Sequence, residues 1–96
     1  MKQDQSVQNK EALAPYKTAI ARYVRASMVL RNLRYDDLAT ALETRGISLS
    51  PDNLRSKVSK GIFSADLFLA LLDVMEVGDS ACEEVLKLVR EQQNSD

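Results

Sequence analysis

The sequence contains no histidine, one cysteine and three widely separated glycines among its 96 residues. Without histidine, the chain lacks both the most common general base and the most common metal ligand. The single cysteine, Cys82, can form neither an internal disulfide nor a cysteine zinc cluster, which is typical of a reducing compartment. The glycines form no phosphate-binding loop. We therefore expect a protein that is not an enzyme and that holds no metal or other cofactor.

Long apolar runs are also missing. No apolar stretch approaches the length of about 18 residues that a membrane span requires. Positions 1–10 are polar and lack the apolar segment of a secretion signal. We expect a cytoplasmic protein with no membrane partner and no small-molecule ligand, in which 1–10 form a flexible N-terminal tail and 93–96 a frayed tail.

Apolar residues, 45% of the chain, recur mainly at helical spacing. The first predicted helix begins near Pro15 and Tyr16 and ends near Asn32, with an apolar stripe that continues to Leu30. The second has two acids in its first turn, Asp36 and Asp37, where the helix dipole favours them. It ends at Arg45-Gly46, a cationic turn followed by a glycine stop.

Serine caps predict the starts of the remaining three helices. Ser50 caps the third helix, with Pro51 at its first position and a stop at Lys60-Gly61. Ser64 caps the fourth, which is the most hydrophobic segment and the expected centre of the core. Ser80 caps the fifth. The sequence thus predicts an all-α fold, a compact bundle of five helices.

The net charge of −1 conceals a strong asymmetry along the chain. Positions 17–60 carry nine basic residues against four acids, a net charge of +5, whereas positions 61–96 carry two against eight, a net charge of −6. One half could therefore face phosphates and the other could not. In the third helix, Leu54 and Val58 are four residues apart and should face the core, which turns the intervening polar and basic residues outward.

Positions 28–42, MVLRNLRYDDLATAL, combine an acidic helix start, a Leu-Ala pair and a further leucine. This string resembles the opening of Cro and lambda-repressor type (XRE-like) helix-turn-helix domains. Positions 54–61, LRSKVSKG, resemble the recognition helix, and positions 64–77 resemble the fourth helix. The resemblance covers roughly 16–77 and implies that 11–92 form a helix-turn-helix domain with a C-terminal helix. The layout is also similar to that of uncharacterised bacterial domains.

Three features depart from the family pattern: the turn over 46–51 is longer than usual, Arg34 stands where a serine or threonine cap is usual, and Asp52 lies in the first turn of the third helix.

The resemblance implies that the third helix enters the major groove, where Asn53 suits adenine and Ser56 reaches a base or a phosphate. The resemblance also implies that Arg55, Lys57 and Lys60 contact phosphates or, for one of them, guanine. It implies that Arg34 and Tyr35, at the start of the second helix, bind backbone phosphate.

The fifth helix carries an apolar stripe that either covers the core of one chain or pairs with a second copy. We predict a homodimer interface formed by Cys82, Val85, Leu86 and Val89. A dimer would place two recognition helices about 34 Å apart, one DNA turn. The function that follows is a sequence-specific regulator that binds double-stranded DNA, most simply a dimeric repressor. The alternative is a protein-interaction adaptor, antitoxin-like or anti-repressor, that uses its acidic C-terminal half.

Overall fold

The computed structural model of the protein describes residues 2–93, with the side chains of residues 8–92. Within this range the chain forms five α-helices and no strand, which confirms the all-α class. The helices are α1 (Lys2–Leu30), α2 (Tyr35–Glu43), α3 (Pro51–Lys60), α4 (Ala65–Val74) and α5 (Gly78–Gln93). Among residues 2–93, no helix is both long enough and apolar enough to cross a membrane. The predicted frayed tail lies outside the described residues except for position 93, the last residue of α5.

The start of α1 differs from the sequence prediction. The helix begins at Lys2, so Pro15 lies inside it rather than in its first turn, and the backbone of positions 2–10 is helical. The residues before Pro15 are Glu, Ala, Leu and Ala, all strong helix formers. Pro15 lacks the N–H that would donate to the carbonyl four positions earlier, and its ring crowds that carbonyl, so the helix loses one backbone hydrogen bond there. The Gln92 side chain donates to the Pro15 carbonyl at 3.3 Å, which joins the end of α5 to this part of α1.

The first four helices end in the same way. Each is followed by a residue in the left-handed conformation, and the N–H of this residue donates to the carbonyl three positions earlier. The next N–H donates to the carbonyl five positions earlier, so the pair forms a Schellman motif. The left-handed residues are Asn32, Gly46, Gly61 and Glu76. The two glycine stops expected from the sequence are thereby confirmed.

Two of the three predicted serine caps are in place, and the third is wrong because α5 begins at Gly78, which puts Ser80 inside its first turn. Ser50 accepts a hydrogen bond from the Asn53 N–H at 3.0 Å at the start of α3, and Ser64 accepts one from Leu67 at 3.4 Å at the start of α4. At α2 the cap position is Arg34, whose own N–H donates to the Asp37 carboxylate at 2.8 Å. An acid in the third helical position thus contributes half of a capping box.

The five helices close a ring of contacts around one core. Helix α1 packs on α3, α3 on α2, α2 on α4 and α4 on α5. Helix α5 in turn packs along α1 and closes the ring. The largest side chains that are fully enclosed belong to the first four helices or, for Met75, directly follow α4: Val24, Leu38, Leu42, Leu54, Val58, Leu71 and Met75. Leu30, by contrast, is 86% exposed and does not belong to the buried stripe of α1. The inward direction predicted for Leu54 and Val58 is confirmed.

The apolar stripe of α5 is divided between the core and the surface. Val85 and Val89 are only 8% and 3% exposed and pack in the core cluster together with Ala81. Their assignment to a dimer interface is therefore corrected, because positions 81, 85 and 89 share the helix face that packs within the chain. Cys82 and Leu86 lie on the exposed side of the helix.

Candidate nucleic-acid interface

Helix α3 is held by its two core side chains, Leu54 and Val58, and most of its other side chains are exposed. Asn53, Ser56 and Lys60 are exposed and Lys57 is half-buried. These four residues, together with Leu49 and Ile62, line one shallow depression, which we call the α3 groove. The structure therefore brings together four of the seven predicted DNA-binding residues. Among the side chains lining this groove, two are cationic and none is a carboxylate.

A second depression runs between α1 and α3, and we call it the α1–α3 groove. Its cationic lining residues are Lys17, Arg22, Arg25 and Lys60. The remaining lining residues are small or neutral, so no carboxylate contributes to the described lining. Lys60 borders both grooves, which makes the two grooves neighbours on the surface. Together they form a continuous surface with five cations.

Sequence reasoning did not assign Lys17, Arg22 and Arg25 to the site, although it counted them in the basic segment. Their spacing offers a partial signal, because positions 17, 21, 22 and 25 fall on neighbouring rows of one helix face. The spacing alone does not show which helix packs beside that face. Only the contact between α1 and α3 shows that these cations lie beside the outward surface of α3.

The junction between the two helices is fixed by Gly61. This residue is buried at the end of α3 and has a φ of 65°. A Cβ at Gly61 would lie 2.7 Å from the carbonyl carbon of Lys17 and closer still to its oxygen. The backbone of α3 therefore ends directly against the backbone of α1, which sets the position of Lys60 relative to the cations of α1.

The other three predicted residues lie outside the α3 groove. Arg34, Tyr35 and Arg55 line a depression that also includes Asp36. The Arg55 guanidinium carbon lies 5.3 Å from the centroid of the Tyr35 ring, within range of a cation–π interaction. Arg55 also pairs with Asp52 at 3.3 Å within the first turns of α3. Arg55 thus has two partners within the chain, unlike the lysines of the α3 groove.

Two further cations of the basic segment connect helices rather than line a groove. Arg45, after α2, forms an ion pair with Asp73 of α4. Arg31 donates to the Glu76 carbonyl at 3.1 Å and so joins the end of α1 to the end of α4. Of the nine basic residues at positions 17–60, the five that border the α3 and α1–α3 grooves form no ion pair among the described residues.

The fold and this surface define a small all-helical domain with a cationic face formed by one short helix and its neighbour. Residues 16–79 match the family described as a domain of unknown function, DUF6471. The match covers about two thirds of the chain, and the protein belongs to this family. Comparisons with curated proteins and with solved structures gave no match.

Proposed function

We propose that the protein is a sequence-specific regulator that binds double-stranded DNA, with α2 and α3 forming a helix-turn-helix of the Cro and lambda-repressor type. The observation that carries this proposal is the continuous surface of the α3 groove and the α1–α3 groove. It combines short polar side chains that can reach base edges with five cations that can bind phosphates.

The dimensions and chemistry of α3 suit the major groove, which is about 12 Å wide and admits one helix. Asn53 lies on the exposed side near the start of α3, where recognition helices contact bases. Its amide can donate and accept at the same time, as adenine requires. Lys57 and Lys60 lie one and two turns further along and suit phosphate oxygens.

The proposed regulator acts in the cytoplasm as a homodimer that represses by occupying its operator. Two copies related by a two-fold axis would present two α3 helices to half-sites about 34 Å apart. Of the four residues predicted for the dimer interface, Cys82 and Leu86 are exposed and available for such a contact. Dimerisation doubles the number of phosphate contacts, which raises affinity where each copy supplies few cations.

The experiment is a selection of duplexes from a random library, followed by titration of the selected duplex and a shuffled duplex of the same composition. Wild type should prefer the selected duplex. Asn53→Ala should weaken binding to that duplex by about 1–3 kcal/mol and leave the shuffled duplex little affected. Asn9→Ala, the same chemical change at an exposed position of α1, is the matched control. A selection that yields no preferred sequence would contradict sequence-specific recognition.

The alternative function is a protein-interaction adaptor. Val29 and Leu30 favour it, because these neighbouring apolar residues are 79% and 86% exposed at the end of α1. The same titration of the selected and shuffled duplexes, carried out at low salt, separates the two functions. An adaptor without a DNA site would bind neither duplex, whereas the proposed regulator binds both and prefers one.

A further inference from the structure

We infer that the DNA backbone beside α3 is bound on the α1 side, by Lys17, Arg22 and Arg25, rather than at the start of α2. This inference rests on the proposed function and specifies how the same surface holds its partner. The family resemblance alone implies the α2 side, through Arg34 and Tyr35. The distribution of charge around α3 favours the α1–α3 groove instead.

The α1 side offers cations whose charge is not neutralised within the chain. Among the described side chains, Lys17, Arg22 and Arg25 take part in no ion pair. They border the α1–α3 groove together with Lys60, and the described lining of that groove includes no carboxylate. Arg22 and Arg25 are exposed, so they can reach a phosphate without a change in the fold.

The α2 side is less favourable for an anion. The Asp37 carboxylate already accepts the Arg34 N–H at the start of α2, and Asp36 lies in the same first turn. A phosphate placed there would be repelled by both carboxylates, which offset the positive end of the helix dipole. Asp36 also borders a depression between α2 and the start of α3 that includes Glu43.

Arg55, which lines the same depression as Arg34 and Tyr35, already has partners for its positive charge within the chain. Its guanidinium contacts Asp52 and the Tyr35 ring. A phosphate contact would require Arg55 to give up part of these interactions. Among the described residues, the three cations of α1 have no ion-pair partner to give up.

The geometry of α1 also suits a DNA strand. From Lys17 to Arg25 the helix advances about 12 Å, a length of duplex axis over which one strand presents three to four phosphates. The close approach of Gly61 to the Lys17 backbone fixes this row of cations relative to α3. Backbone contacts that are rigidly connected to the recognition helix set its register in the groove.

The experiment measures the dependence of the binding constant on salt for one duplex, with four variants. The double variant Arg22→Ala/Arg25→Ala should make the negative slope of log K against log salt shallower by about 1.8, since each phosphate contact contributes about 0.9 to its magnitude. Its preference between the selected and shuffled duplexes should be unchanged. Arg22→Lys/Arg25→Lys should keep the wild-type slope. Arg34→Ala tests the α2 side, and Arg90→Ala on α5 is the matched control; both should also keep the wild-type slope.

The outcomes distinguish the inference from the function on which it rests. A wild-type slope for Arg22→Ala/Arg25→Ala, in a protein that binds DNA, overturns the inference and leaves the proposed function standing. A loss of slope in Arg34→Ala instead would assign the backbone contact to the α2 side and also overturn it. If wild type binds no duplex even at low salt, the proposed function fails first. Circular dichroism melting of each variant confirms that the compared proteins are folded.

Discussion

Gly61, at the end of α3, lies directly against the backbone of Lys17 in α1. A Cβ at position 61 would be 2.7 Å from the Lys17 carbonyl carbon, and no side-chain rotation can relieve a clash with backbone atoms. Gly61 also has a φ of 65°, which L side chains rarely adopt. Both constraints require glycine at the point where the proposed recognition helix meets the row of cations on α1.

Gly61→Ala should therefore lower the free energy of unfolding by at least about 3 kcal/mol, because left-handed strain adds to a backbone clash. Gly46→Ala is the matched control. Gly46 has a φ of 85°, but a Cβ there would meet nothing within 4 Å, so its cost should be about 1 kcal/mol from conformation alone. Urea unfolding of both variants measures the difference. Equal losses would contradict the tight α1–α3 junction.

The buried and exposed faces of α5 should respond differently when a glutamate is introduced. Val85→Glu places a carboxylate in the core and should cost about 3 kcal/mol or more, whereas Leu86→Glu, at a site that is 42% exposed, should cost less than about 1 kcal/mol. Thermal unfolding measures both. Sedimentation adds a second readout, since Leu86→Glu should yield a folded monomer if Leu86 forms part of the dimer contact. A stable, folded Val85→Glu protein would contradict the assignment of Val85 to the core.

Local features of the fold could be predicted from the sequence. Ser50 and Pro51 determine where α3 begins, and Gly61 where it ends, because caps and stops act within one or two turns. Leu54 and Val58 indicate its buried side by their spacing. These signals involve neighbours in the chain, and the structure confirms each of them.

Contacts between distant residues could not be predicted in the same way. The apolar spacing of Val85 and Val89 predicts a buried face but does not identify its partner, so a dimer interface was predicted where α5 packs within its own chain. Lys17 similarly belongs to the site only because α3 ends beside it. The start of α1 was misplaced because Pro15, a frequent first-turn residue, here lies inside a longer helix.

Asp66, in the first turn of α4, should make stability depend on pH. A hydrogen bond from Ser64 and one from the Leu67 N–H lower the pKa of the Asp66 carboxyl below its ordinary value of 3.8. A carboxyl whose pKa is lower in the folded state stabilises the fold above its unfolded pKa, and this stabilisation is lost as the pH falls through the folded value. Wild type should therefore be more stable than Asp66→Asn at neutral pH, with the difference shrinking below about pH 4. A difference that stays constant with pH would contradict the ionic role of Asp66.

The central claim, that the surface of α3 and α1 binds DNA through its five cations, is tested most directly by the salt dependence of wild-type binding. The equilibrium constant for one duplex would be measured by fluorescence anisotropy from about 50 to 200 mM salt, with each of the five cations contributing about 0.9 to the slope. The account predicts a slope of log K against log salt near −4.5 per copy of the chain. Absence of binding at the lowest salt, or a slope shallower than about −1, would contradict it.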